Sequence, residues 1–540
     1  MSSKKGFAAL QSRLAHIDWT LLVFLLLFLN VKLAIKAAAI ILLFIIRPVF
    51  KPGLSVKNSR LPLFYLIITG IALLNYFLVG GYNSVNYTAA AATGILFWLL
   101  CLLAAHQVKL AVEKNSPEVL HTTIFVFLLI NAAVSLFVYA GIILETGAIN
   151  PYRYQGNYQK YFIGTGDYIK GVSFDTSTTN AVLNAFAVIY FLLRHKNSWC
   201  LFFMAILLLT GSNVTNILLC LVLLYIFIFQ SSRDQKSIIV ACIALLVVFL
   251  AKISPQNNTY ITAALEKFFS APAAPLVSKQ GSVKDKPDSI LDAEEKKQKI
   301  AITYLDSMHA AMKATPKTNT PVVIAAAPIK EKPLIPQPNI HTPPFQHKDD
   351  TTVFKKQLLQ FIQTDAVNVA AVTQSNLPGK AIALSQTIHF LQSHPLKILT
   401  GAGIGNFSSK LAFKTTALKI AGGYPEKYTY INPDFEKNHL ALYLGYFTKT
   451  AGQHSLINTP NSVYDQLLGE YGVAGISALF LGYFGFFWQQ RKKLTYGLPI
   501  LLLLLGLFFV EYWFEQLSIV VFFELLLFLN LKENTPAHSP

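Results

Sequence analysis

The chain of 540 residues is 53% hydrophobic and only 13% charged, with a mean hydropathy of +0.46. An average soluble domain is about 25% charged, so the composition excludes an ordinary cytosolic enzyme. The net charge of +18, from 45 Lys+Arg against 27 Asp+Glu, would suit nucleic acid only as one basic patch, and its spread along the chain argues against such a partner.

A membrane-crossing helix needs about 20 apolar residues. Twelve apolar runs alternate with polar links, at 18–31, 33–48, 61–79, 88–105, 121–144, 178–193, 198–211, 214–230, 236–252, 462–488, 497–512 and 515–531. The predicted fold is all-α, a polytopic membrane protein with a large, partly helical extracytoplasmic loop. Only Asn30, Lys32 and Lys36 separate the first two runs, which form either a hairpin or one long helix. No small-residue cleavage site follows the first run, so it reads as a retained helix. Continuous apolar runs exclude a β-barrel, whose strands alternate. Cys101, Cys200, Cys220 and Cys242 all lie in apolar runs and read as buried hydrophobes.

Orientation follows from the basic residues in the links. With the N-terminus inside, the inner links carry seventeen Lys and Arg residues and the short outer links five, so both termini are expected in the cytoplasm. The domains are then N-terminal helices in 1–60, membrane helices in 61–252 with a small outer loop at 145–177, an outer insert at 253–375, an ordered outer helical region at 376–461, membrane helices in 462–531 and a tail at 532–540. The insert is rich in Pro, Lys and Ala, and eight prolines between Pro316 and Pro344 make an extended spacer. A helical island at 289–314 interrupts it, and an amphipathic helix is predicted at 381–394. Between Lys252 and Lys449 lie 23 lysines and fourteen acids, an outward-facing excess of +9.

Three outer features bear chemistry. Gly401, Gly403 and Gly405 lead to Phe407 in a turn whose amides can approach a phosphate, although a tight connection explains the same glycines. Asn461 and Ser462 open a helix that carries Asp465 and Glu470 in its first turns, where charge is costly unless it faces a cavity or partner. Helix capping and the helix dipole account for Asp465 but poorly for Glu470. In the small loop, Arg153, Lys160 and Lys170 alternate with Tyr152, Tyr154, Tyr158, Tyr161 and Tyr168, a pattern suited to a pyrophosphate and sugar rings, or to a membrane-interface aromatic belt.

The order of these parts resembles the O-antigen ligase and O-antigen polymerase-like membrane glycosyltransferases. Gly379-Lys380 precedes the amphipathic helix, Gly401 to Phe407 follows it, and Asn461-Ser462, nine residues and Gly472-Val473-Ala474-Gly475 close the loop. Lys170-Gly171-Val172-Ser173 through Asn180 is similar to a second family stretch, and Ser212-Asn213 stands where many members have Ser-Arg. Asn461 occupies the position of the family's usual histidine, and Lys170 and Lys380 stand where arginines are common, so the bidentate fork is lost while the charge is kept.

The resemblance implies a metal-independent glycosyltransferase without a cofactor, in a bacterial inner membrane. It would move a glycan from an undecaprenyl-diphosphate-linked donor to the hydroxyl of a glycan or glycolipid acceptor. Lys170, Lys380 and Arg153 would clamp the diphosphate, with Gly401, Gly403, Gly405 and Asn180 at the substrate. Asn461 and Ser462 would orient the acceptor, and the missing base leaves three alternatives: Glu470, Asp465 or His454 replaces it, the reaction runs mainly on electrostatic stabilisation of the leaving pyrophosphate, or the chain is an inactive assembly partner. A lipid-linked glycan transporter is the expectation from another class, although the two halves show no duplication.

Overall fold

A computed structural model describes residues 16–50, 53–54, 59–154, 163–255, 283–291, 293–420, less 315–377, then 422–449, 454, 456 and 458–535. Every regular element among them is helical. The first nine helices are α1 (Trp19–Phe28), α2 (Leu33–Ile46), α3 (Phe64–Leu78), α4 (Val85–Lys114), α5 (Pro117–Thr146), α6 (Ser177–Leu193), α7 (Asn197–Leu209), α8 (Asn213–Phe229) and α9 (Arg233–Val248, wound on to Ile253). The stretch between the ninth and the later helices supplies α10 (Ala293–Ala314), α11 (Gly379–Ser393), α12 (Lys397–Thr400), α13 (Lys410–Lys414) and α14 (Ala441–Phe447). Last come α15 (Val463–Ser477, wound on to Trp488), α16 (Gly497–Leu507), α17 (Trp513–Gln516) and α18 (Val520–Glu533).

Each of the twelve apolar runs therefore contains a helix. Among the described residues, four helices are long and apolar enough to cross a membrane: α4, α5, α9 through Ile253 and α15 through Trp488. Seven others are apolar but span 10–17 residues. The first two runs are separate helices that pack on one another, α1 being capped by Asp18, whose carboxylate accepts from the Leu21 amide at 3.0 Å. Local chemistry sets other starts: Ser84 caps α4, Pro117 opens α5 at a position where its missing N–H costs nothing, and Ser232 with Gln235 forms a capping box on α9.

The core is organised around α18. Every residue from Val520 to Leu531 is buried, which an all-round apolar helix requires. It packs against α4, α5 and α16. Phe64, Tyr65, Trp98, Tyr483 and Phe514 interlock beside it, and Glu524 accepts hydrogen bonds from the Tyr65 hydroxyl at 2.5 Å and the Tyr483 hydroxyl at 3.4 Å.

Polar pairings segregate to the two ends of the bundle. At one end Arg47 meets Asp18 at 3.4 Å, Arg60 meets Glu113 at 2.5 Å, Arg194 meets Glu533 at 3.6 Å and Lys532 donates to the Val112 carbonyl at 2.7 Å. At the other, the Val31 amide donates to the Ser173 carbonyl at 2.8 Å, Asn150 to that of Ile253 at 2.9 Å and Asn86 to that of Thr429 at 2.9 Å. The predicted island forms α10, which lies on α14, with Gln298 donating to the Thr448 carbonyl at 2.8 Å. The proline spacer lies outside the described residues.

Candidate functional site

Helix α15 begins where the chain is tied to the loop after α16. Ser462 caps it, the Val463 amide donates to the Phe508 carbonyl at 2.8 Å, and the Asn461 side-chain amide donates to Glu511 Oε1 at 2.7 Å. Lys380 arrives from the first turn of α11. Its Nζ donates to the carbonyls of Asn461 and, at 2.9 Å, Val510, approaches Thr459 Oγ1 at 3.5 Å, and lies 5.6 Å from the centre of the Phe509 ring. Burial lowers its pKa to about 8, against the opposing pull of Glu511 and Asp465. An ammonium has three protons to donate, so Lys380 is committed to three chain oxygens. The structure thus brings Lys380 and Asn461 together through the backbone carbonyl of Asn461. Gly379 makes the approach feasible, since a Cβ there would stand 1.9 Å from the Asn458 carbonyl oxygen.

The glycine turn docks against a break in α15. Gly472 has φ 64° and ψ −159°, which frees the carbonyls of Gly469 and Glu470 from helical partners. They accept from the amides of Ala402 at 2.9 Å and Gly403 at 3.0 Å. Gly401, Gly403 and Gly405 all have positive φ, and successive amides converge. The Gly405, Phe407 and Ser409 amides donate to the Glu470 carboxylate at 2.8, 3.1 and 3.2 Å. The turn is an anion nest in geometry, and its anion is Glu470 of the same chain. The sequence expectation of a phosphate at these amides, and of Glu470 as a separate base, meets a different arrangement in which the two motifs satisfy each other.

In the small loop, Arg153 Nη2 donates to the Lys252 carbonyl at 2.6 Å, closing the end of the α9 run beside Asn150. Lys170 is exposed. Behind it, Asn180 is fully buried and donates to Ile169 O and Ser135 Oγ, each at 2.9 Å, while accepting from Asn131 at 2.8 Å and Asn184 at 2.9 Å. Gly171 lies over this network, where a Cβ would stand 2.3 Å from Asn131 Oδ1. Asn180 thus holds the strip that presents Lys170. Ser212 begins α8 and pairs with Thr215 Oγ1 at 2.9 Å, and His454 stacks on Tyr446. Tyr158, Lys160 and Tyr161 lie outside the described residues.

Two groups were not singled out from the sequence. One is a charge cluster: Lys36 and Lys414 lie within electrostatic reach of Lys410 and Asp175, and Lys414 also of Glu515. Burial first, and Lys410 next, lowers Lys414 to about 8, while Glu515 and Asp175 raise it. This links the small loop to the glycine-turn region, and the i, i+4 spacing of Lys410 and Lys414 after the Ser409 cap was a legible signal. The other is a buried pair, His439 Nε2 at 3.1 Å from Asp465 Oδ2, which no sequence spacing announces. Compared with family models, curated proteins and solved structures, the chain matches none.

Proposed function

We propose that this chain is an integral membrane glycosyltransferase of the O-antigen ligase type, moving a glycan from an undecaprenyl-diphosphate carrier to an acceptor hydroxyl at the outer face. On this reading the twelve helices all cross a bacterial inner membrane, both termini are cytoplasmic, and the bundle end bearing α11 to α14 faces outward. The acceptor is a lipid A core sugar for a ligase or a growing glycan for a polymerase.

One observation carries the reading: parts of the resembling motif far apart in the chain, from Lys380 to Glu470, pack as a unit. Lys380 binds the Asn461 carbonyl, Glu470 fills the glycine turn, and Lys414, which follows that turn, lies within electrostatic reach of Asp175 of the small loop. A diphosphate leaving group departs when cations stabilise its developing charge and an acceptor is held in line. Exposed Lys170 with Lys410 and Lys414 are suited to the charge. Lys380, Glu470 and Asn180 act as positioning residues, and Asn461 and Ser462 stand at the acceptor side.

Glu524 favours a second reading, transport of the same lipid-linked glycan, because a buried carboxyl inside a helix bundle is a common device of transporters. Reconstitution of the whole chain in vesicles with an undecaprenyl-diphosphate oligosaccharide and a lipid A core or glycan acceptor separates the two. Transfer releases lipid diphosphate and extends the acceptor. Glycan that crosses the bilayer without release of lipid diphosphate rejects the enzyme reading.

A further inference from the structure

His439 sits in a π-helical turn, Glu436–Leu440, immediately before α14. Such a turn inserts one residue into a helix and re-aims its side chains, and it recurs at functional sites. His439 is fully buried. Its Nε2 lies 3.1 Å from Asp465 Oδ2, while Asp465 Oδ1 accepts from Thr387 Oγ1 of α11 at 2.7 Å. An ionised carboxylate only accepts, so the imidazole proton belongs on Nε2 and the lone pair on Nδ1. Among the described residues, Nδ1 has no hydrogen-bond partner, nor has the buried Oε1 of Gln386, whose amide donates to the carbonyl of neighbouring Asn438 at 3.1 Å. Nδ1 is thus a buried acceptor that the single proton of a hydroxyl can satisfy. The Phe407 ring, which ends the glycine turn, covers the imidazole with centroids 4.6 Å apart.

We propose that His439 is the general base of the transfer reaction, with Asp465 as its positioning residue; this rests on the glycosyltransferase reading. As the acceptor oxygen attacks the anomeric carbon, its proton moves to His439 Nδ1. The bond from that carbon to the diphosphate oxygen breaks, and the lipid diphosphate leaves with the electron pair. The imidazolium then returns its proton to water. His439 and the Phe407 ring over it are both fully buried, so the acceptor reaches Nδ1 only when this cluster opens. Asp465 is the anion facing the ring, and Lys380, Tyr443 and Tyr512 lie within electrostatic reach of that carboxylate, so the pH response belongs to this set.

The test uses the reconstituted full chain with the undecaprenyl-diphosphate oligosaccharide and a glycan acceptor, at saturating donor and across pH 5 to 9. His439→Gln lowers kcat by roughly 10²- to 10⁴-fold, leaves the donor KM within about twofold and abolishes the acid limb of the pH profile. Asp465→Asn, which favours the wrong tautomer, lowers kcat and moves that limb, and it serves as the deciding variant if His439→Gln does not fold. Wild-type kcat and an unchanged pH profile in a folded variant overturn the assignment alone. A wild-type chain that releases no lipid diphosphate overturns it together with the glycosyltransferase reading.

Discussion

The carboxylate of Glu470 closes the glycine turn from within, its Oε2 lying 2.8 Å from the Gly405 amide while its Oε1 takes the amides of Phe407 and Ser409. A residue in the broken helix α15 is thereby made the ligand of a loop that begins about 70 positions earlier. The break at Gly472 supplies the second half of the joint by releasing the Gly469 and Glu470 carbonyls to Ala402 and Gly403.

Glu470→Gln is expected to loosen this joint. The glutamine amide can accept at one oxygen only, so at least one of the three amides is left unpaired in a buried place. A hydrogen bond to a charged group is worth about 1.5–3 kcal/mol, and a loss near 3 kcal/mol is expected. Thermal unfolding of the purified chain in lipid nanodiscs measures it; unaltered stability would show that the nest does not depend on the carboxylate.

Alanine at two glycines should have opposite effects. At Gly401, φ is +77° and a Cβ would stand 2.3 Å from the Glu470 carbonyl carbon, backbone that cannot swing aside. A cost of roughly 2–4 kcal/mol is expected for Gly401→Ala. Gly141 lies within α5, and a Cβ there meets nothing within 4 Å. Gly141→Ala should be neutral or stabilise by about 0.5–1 kcal/mol. Equal melting temperatures for the two variants would contradict the docking of the turn.

Lys170 and Asn180 separate charge from scaffold. Lys170 is exposed, so Lys170→Ala should alter stability by less than about 0.5 kcal/mol, while glycan transfer falls sharply if it meets the diphosphate. Asn180→Ala strands four hydrogen-bond partners, among them Ile169 O and Asn131, and should lower stability by about 2–4 kcal/mol. Paired transfer and unfolding measurements decide this, and normal transfer with Lys170→Ala removes that residue from the clamp.

The helices were legible in the sequence because an apolar run of membrane length leaves the backbone few alternatives. Their ends were less so. Helix α4 continues to Lys114, well past 105, because His106 finds the Val49 carbonyl at 3.0 Å and Lys109 lies over Phe528, partners that hydropathy cannot see. The last run divides into α17 and α18 because Leu517 adopts φ 61°. Motif spacing likewise pointed to segments that do meet, but it could not show that Lys380 spends its protons on carbonyls or that Glu470 fills the turn. His439 was missed because a π-turn and a partner 26 residues away leave no periodic trace.

The buried lysines contribute a part of the stability that rises into the alkaline range. A free lysine titrates near 10.4, whereas Lys380 and Lys414 are each lowered from 10.5 to about 8. Below pH 8 both states are protonated and the cost of burying the charge is constant. Between about 8 and 10.5 these two lysines bind more protons in the unfolded chain than in the folded one, so they add stability as pH rises across that window. Each pKa unit corresponds to about 1.4 kcal/mol, which makes the contribution of Lys380 about 3 kcal/mol and that of the less buried Lys414 smaller. Lys380→Met keeps the side-chain length and removes the titration. Its stability at pH 7 should fall, because the Asn461 and Val510 carbonyls lose their donor, and the slope of stability against pH between 8 and 10 should drop below that of wild type. Denaturant unfolding of wild type and variant at pH 7, 8, 9 and 10 tests both effects. A slope in Lys380→Met equal to that of wild type would show that Lys380 is not held charged against its burial by those carbonyls.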